Sequence, residues 1–314
     1  MSAPSSPIAV VFPGQGSQRA GMGRDVFERF AVAREVFERA SDALSLDLRE
    51  ICFGDDPRLD RTEFTQPAIL TTEIAMLRAV EEGTGLSFAY FGGHSLGEYT
   101  ALCAAGAMEL EDAVRLVRRR GACMQTAVPE GYGAMIALTA TGVGEGGLAA
   151  ELAGVDVDVA NRNSPDQVVL SGGAAGIARA SARAAQLLAG VAHDIVALNV
   201  SAPFHSRAMR GIEDDLRVAF VEVTPRLTPS RSAVVTSNVT GSFHQPAPAS
   251  LLDALLRQAS STVEWISNMR TLAAAAARIY EIGPSRPLGR FFAAIGRDIV
   301  SITSAKGIVQ GARA

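Results

Sequence analysis

At 314 residues, with a formal net charge of -4, 48% hydrophobic and 20% charged residues, the chain suits one large domain, or a domain with a smaller insertion, around a sizeable core. Its mild acidity is at odds with the clustered basic charge of a nucleic-acid binder, residues 1–7 lack the parts of a secretory signal, and no apolar run approaches the ~18–20 residues of a membrane span. Cys52, Cys103 and Cys123 are odd in number and form no CxxC pair, which fits reduced thiols in the cytoplasm and neither a disulfide frame nor a metal site.

Residues 8–12 form a short apolar run closed by Pro13-Gly14, a buried strand leading into a loop. Helical spacing follows through Val26, Phe30, Val36 and Phe37, and a second helix is predicted over 66–82. Residues 88–91 make another buried strand, ended by Gly92-Gly93. Strands alternating with helices imply a parallel sheet covered on both faces. Between 131 and 200 the pattern changes: a strand at 134–139, a helix at 146–153, strands at 155–160 and 167–171, an Ala-rich helix at 174–188 and a strand at 195–200. That βαββαβ order is the ferredoxin-like pattern. The reading is therefore α/β, with a large subdomain from residues 1–130 and 201–314 and an inserted small subdomain, 131–200. Later strands are predicted at 233–237 and 279–282.

Gly93-His94-Ser95-Leu96-Gly97 is a GxSxG sequence between the 88–91 strand and a helix predicted over 98–107. Glycines permit the sharp turn that lifts a serine hydroxyl clear of a sheet. The helix N-terminus offers free N–H groups and a field that favours negative charge, and the amide of Leu96 is a natural oxyanion donor. The plainer alternative is a glycine-rich turn whose serine only caps the helix. A serine nucleophile needs a base, since its hydroxyl is unreactive at its own pKa. Of the four histidines, His94 should diverge from Ser95, His193 stands near the entry of a predicted strand, and His244 lies in a Ser/Gln/Pro-rich surface loop. His205, where the chain re-enters the large unit, is the candidate by elimination and position.

On the helix predicted over 111–128, Ala113, Leu116, Val117 and Met124 share one face. Arg120 falls inside that stripe, while Arg115, Arg118 and Arg119 turn away. A buried guanidinium needs an anionic partner. Two are open: a carboxylate of the protein, or a substrate carboxylate held by the planar fork of arginine.

Phe12-Pro13-Gly14-Gln15-Gly16-Ser17-Gln18, Gly93 through Tyr99, Arg120-Gly121 leading to Met124-Gln125, Asn161 through Gly172, and Ser201 to Ser206 resemble, in order and spacing, the malonyl-CoA:acyl-carrier-protein transacylase family, which includes acyltransferase domains of polyketide synthases. The resemblance runs from about Ile8 to Gly289. It implies an α/β-hydrolase-like large subdomain with the ferredoxin-like small one, no cofactor, and ping-pong transfer of malonyl from coenzyme A through Ser95 to an acyl carrier protein. It further implies an oxyanion hole from the amides of Gln15 and Leu96, a malonate carboxylate on Arg120, and a Gln258 carbonyl that orients His205. Gln66 and Asn163 match pocket residues, and Phe204 matches the variant that favours malonyl over methylmalonyl. Thr262 departs from the family's usual proline near Gln258. The pathway is fatty-acid or polyketide synthesis. Arg207, Arg286 and Arg290 are candidates by position to meet an acidic carrier. The competing readings are an acyl hydrolase of carrier-bound groups, a transferase for another carboxylated unit, and a non-catalytic docking module.

Overall fold

The computed structural model describes residues 6–129, 131–147, 151–152, 157–200 and 202–311. Among these, eight strands follow in chain order: β1 (Ile8–Phe12), β2 (Tyr90–Gly93), β3 (Gly133–Ala140), β4 (Val157–Ser164), β5 (Gln167–Gly173), β6 (His193–Ala197), β7 (Arg278–Ile282) and β8 (Val300–Ile302). The chain is α/β.

The apolar run of β1 explains the first sheet. Val10 and Phe12 belong to the main core with Ile69, Leu70 and Val117, whereas Ala9 and Val11 pack on the other face with Trp265, Met269, Leu272 and Phe292. A strand apolar on both sides needs cover on both. It has that cover inside a parallel sheet of order β2-β1-β7-β8, between the helices Thr62–Thr84 and Leu110–Thr126 on one face and Trp265–Ala275 on the other.

The second sheet is antiparallel, in the order β4-β5-β3-β6. Its side chains alternate as the pleat requires. Ile136, Leu138, Val168 and Leu170 pack under Ile177, Ala180 and Ala184 of the helix Ala174–Leu187. Met135, Ala137 and Val169 point the other way and line a cavity between the two sheets. Backbone bonds Val263 N–H to Ala160 O (2.8 Å) and Arg162 N–H to Val263 O (3.0 Å) pin this sheet to the rest of the chain. Thr262, which departs from the family's usual proline, donates its hydroxyl to Val159 O at 2.7 Å and so adds a tie that proline could not make.

Several expectations shift. Gly92 and Gly93 do not follow the second strand but are its last two residues, paired with Val11 and Phe12. A side chain at Gly92 would meet Leu272 Cδ1 at 2.7 Å and Thr236 Oγ1 at 2.8 Å, so glycine here serves close packing. The helix expected over 98–107 is Leu96–Ala104, stopped before Gly106 at φ 74°. Residues 233–237 form no ladder: a 3-10 helix, Pro229–Val234, leads into single bridges from Val235 to Phe91 and from Thr236 to Phe243. The strand expected over 195–200 is β6, His193–Ala197, and Leu198 N–H still donates to Met135 O at 2.9 Å. The three-residue edge strand β8 carries no periodic signal and was not foreseen. Parts of the expected helix at 146–153 and of the strand at 155–160, together with Ser201, lie outside the described residues. No described helix is long and apolar enough to cross a membrane.

Candidate active site

The cavity holds about 750 Å³ and is lined by Gln15, Gln66, Ser95, Leu96, Arg120, Asn163, Phe204 and His205, with Gln258 packed behind them. The expected site residues therefore come together.

Ser95 sits where β2 turns into the helix Leu96–Ala104, with φ 53° and ψ -104°. A non-glycine residue held there stores about 1–3 kcal/mol of strain. The turn is this sharp because its flanks are bare. A Cβ on Gly93 would lie 2.0 Å from the Gly97 carbonyl, and one on Gly97 would lie 2.2 Å from Phe12 O. Asn238 fastens the turn from a distant loop, accepting the Ser95 N–H at 2.6 Å and donating to Gly93 O at 2.8 Å. Leu96 opens the helix; the next two N–H groups, of Gly97 and Glu98, donate to His94 O and Ser95 O, which leaves the Leu96 N–H for a ligand.

Ser95 Oγ lies 2.7 Å from His205 Nε2, and His205 Nδ1 lies 2.8 Å from the Gln258 carbonyl. A carbonyl only accepts, so Nδ1 carries the proton and Nε2 faces the hydroxyl as a base. Burial and the positive charge of Arg120 draw the imidazole down to about 3, so it is neutral in ordinary conditions. His205 itself has φ 57°, a second strained residue at the centre.

Arg120 is fully buried. Its guanidinium donates to Gln66 Oε1 at 3.0 Å, Gln258 Oε1 at 2.9 Å and Ser95 Oγ at 3.3 Å, and stands over the Tyr99 ring at 5.3 Å. All three of these acceptors are neutral oxygens, and among the described residues Nε finds no hydrogen-bond partner. Burial pulls this arginine below its ordinary range, against the attraction of Tyr99 and Glu98. The internal salt bridge left open by the sequence is not what this side chain makes. Arg115 and Arg118 do turn outward, onto Asp112 and Glu63.

Gln15 donates from its side chain to Thr62 Oγ1 at 3.2 Å. Asn163 accepts from His94 Nε2 at 2.8 Å and donates to Gln167 at 3.0 Å. His94 does diverge from the hydroxyl, yet it lines the cavity and meets the Trp265 ring edge-on at 5.5 Å. His193 caps Val191 O at 2.8 Å at the entry of β6. His244 departs from expectation: it is buried, with Nε2 2.8 Å from Glu98 Oε1. The polar residues around it suggested a surface loop because sequence does not reveal a buried acid one helix turn beyond the elbow. Asn238 and Glu98 were missed for the same reason. All three cysteines are buried, and burial lifts the Cys52 and Cys103 thiols to about 12, which leaves them unreactive. No group of three or more His, Cys, Asp and Glu among the described residues is placed to hold a metal ion.

A strained serine, a neutral imidazole against its hydroxyl and the Leu96 N–H at a helix start define an acyl-transfer site. The family model for the acyl transferase domain matches residues 9–282, and the chain belongs to that family. It is 37% identical to the malonyl CoA-acyl carrier protein transacylase of Bacillus subtilis (strain 168) over 310 residues, which cover 95% of this chain and 93% of that one. It is also similar to the crystal structure of malonyl-CoA:acyl carrier protein transacylase from Xanthomonas oryzae pv. oryzae, with TM-score 0.88, 35% identity and 99% of both chains covered. A third likeness is to a malonyl-transacylase in complex with its holo type II PKS acyl-carrier protein, with TM-score 0.86, 33% identity, and 98% of this chain and 99% of that one covered.

Proposed function

We propose that this chain moves a malonyl group from coenzyme A to the phosphopantetheine thiol of an acyl carrier protein, by a ping-pong route through an ester on Ser95. His205 Nε2 takes the hydroxyl proton as Oγ attacks the thioester carbonyl. The oxyanion is met by the N–H groups of Leu96 and Gln15. The C–S bond then breaks, and the coenzyme A sulfur leaves with the proton that His205 held. In the second half the carrier thiol gives its proton to His205, its sulfur attacks the ester carbonyl, and Oγ regains the proton as it leaves. Gln258 O holds the imidazole in the tautomer this needs, in the place an acidic third member takes in other triads.

One observation carries the malonyl assignment: a buried arginine that meets only neutral oxygens stands 3.3 Å from the candidate nucleophile. An ester on Ser95 sets a three-carbon diacid with its free carboxylate within reach of that fork. An acyl hydrolase of uncharged chains has no use for it. Phe204, buried against the cavity beside His205, crowds the α-carbon and favours malonyl over branched units. The thioester is itself the substrate, so the chemistry calls for no cofactor, and we place the reaction in the cytoplasm. Residues 131–200 act as the ferredoxin-like small subdomain, set into the α/β-hydrolase-like large one. Arg286 and Arg290 are exposed beside the cavity and suit an acidic carrier. Arg207 suits it less, since Asp158 holds it at 2.8 Å.

The test is intact mass after mixing with malonyl-CoA. A malonyl adduct on Ser95, removed by holo carrier protein, is the expected result; release as free malonate at the same rate without carrier would make the chain a hydrolase.

A further inference from the structure

Gln258 acts at both of its ends. Its backbone carbonyl takes the His205 proton, and its side chain is buried between Ser95, Glu98 and Arg120. The amide nitrogen lies 2.9 Å from Ser95 O and 2.7 Å from Glu98 Oε2. Both of those oxygens accept, so the nitrogen belongs there and the amide oxygen is left for Arg120. The flipped amide would set donors against the guanidinium. Glu98, together with the Ser95 carbonyl, thus sets which end of Gln258 the arginine sees.

Glu98 is fully buried, and its hydrogen bonds fall on Oε2. Oε2 also takes the Asn238 N–H at 3.1 Å, and Oε1 faces His244 Nε2 at 2.8 Å. Neither Glu98 nor His244 lines the cavity. They reach the reacting atoms only through Gln258 and through Asn238, which fastens the elbow. Glu98 also works through space, supporting the Arg120 charge that burial weakens.

We propose that Glu98 and His244 are positioning residues, a buried carboxylate–imidazole pair that orients the Gln258 amide and thereby sets the Arg120 fork for a carboxylated acyl group. The inference rests on the reading that Arg120 binds the acyl carboxylate. Its signature is selectivity, because the amide end of Gln258 matters most to a substrate that uses the arginine. A side chain that only filled space would slow all acyl groups alike.

The experiment compares malonyl-CoA with acetyl-CoA as donors to carrier protein, using the full chain. Glu98→Gln keeps the shape but weakens the stronger of the two acceptors that set the amide's direction. Malonyl kcat/KM should fall by about tenfold or more, mostly as a rise in KM, with acetyl transfer changed by less than about threefold. His244→Phe removes the partner of Oε1 and should shift the malonyl-to-acetyl ratio in the same direction. His244→Gln keeps a polar group facing Oε1 and should hold the ratio to within about threefold of the parent. Should Glu98→Gln fail to fold, the His244 pair decides alone. Equal losses on both donors, or an unchanged ratio in the folded variants, overturns the inference. A parent enzyme that forms no malonyl ester on Ser95 would instead sink the functional reading beneath it.

Discussion

The two sheets meet one cavity in different ways. The parallel sheet presents its edge: β2 ends at the elbow, a helix starts there, and backbone N–H groups, a strained serine and a buried arginine gather at the strand ends. The antiparallel sheet presents a face, with Met135, Ala137, Val169, Asn161 and Asn163 forming a wall. Strand ends expose unsatisfied backbone and dipoles, which is where charge can be stabilised. A sheet face has its backbone paired and offers only side chains, so it shapes what enters. Reactivity belongs to one region and fit to the other, and His205 lies where the chain passes between them.

Breaking the first region should cost most. Ser95→Ala should lower transfer by about 10⁴-fold or more and abolish the adduct by intact mass. Near-native turnover would mean that the elbow is not the nucleophile. Next comes Arg120→Ala, for which malonyl kcat/KM should drop by about 10²-fold or more and acetyl by less than about tenfold. Parallel losses with both donors, in steady-state assays, would move selectivity out of this region.

Changes in the wall should be milder. Asn163→Ala leaves His94 without its acceptor and should raise KM for malonyl-CoA by roughly three- to tenfold while kcat stays within about threefold. A fall in kcat matching that of Arg120→Ala would show that the wall takes part in the chemistry, and the contrast between the sheets would fail.

A stability measurement, with no bearing on turnover, sharpens the role of the residue between them. The folded imidazole of His205 is held at about 3, below its ordinary 6.5. Between those values the unfolded chain binds a proton that the folded one refuses. The contribution of His205 is therefore fully present above about 6.5 and is lost as pH falls towards 3, by up to about 1.4 kcal/mol per pH unit. His205→Gln should flatten that part of the stability curve in urea melts. Identical slopes would mean that the base is not held neutral by burial.

Much of this was legible in the chain. β1, β3, β5 and β7 fall within a residue or two of where apolar runs and alternation put them, because those patterns follow from the period of the strand itself. The inward turn of Arg120 was legible from helical spacing alone. His244 was misread, and Glu98 and Asn238 went unnoticed, since polar residues near glycine and proline look the same whether a loop is exposed or folded under.

What the sequence determines by itself is local: the bare glycines that let Ser95 stand at the turn, the stripe that buries Arg120, the alternation that gives the wall its face. These depend on chain geometry over a few residues. Only the tertiary structure decided which oxygens meet the guanidinium and which carbonyl holds the imidazole. Gln258 and Ser95 are 163 residues apart, and the direction of one buried amide between them depends on acceptors that folding alone brings within 3 Å.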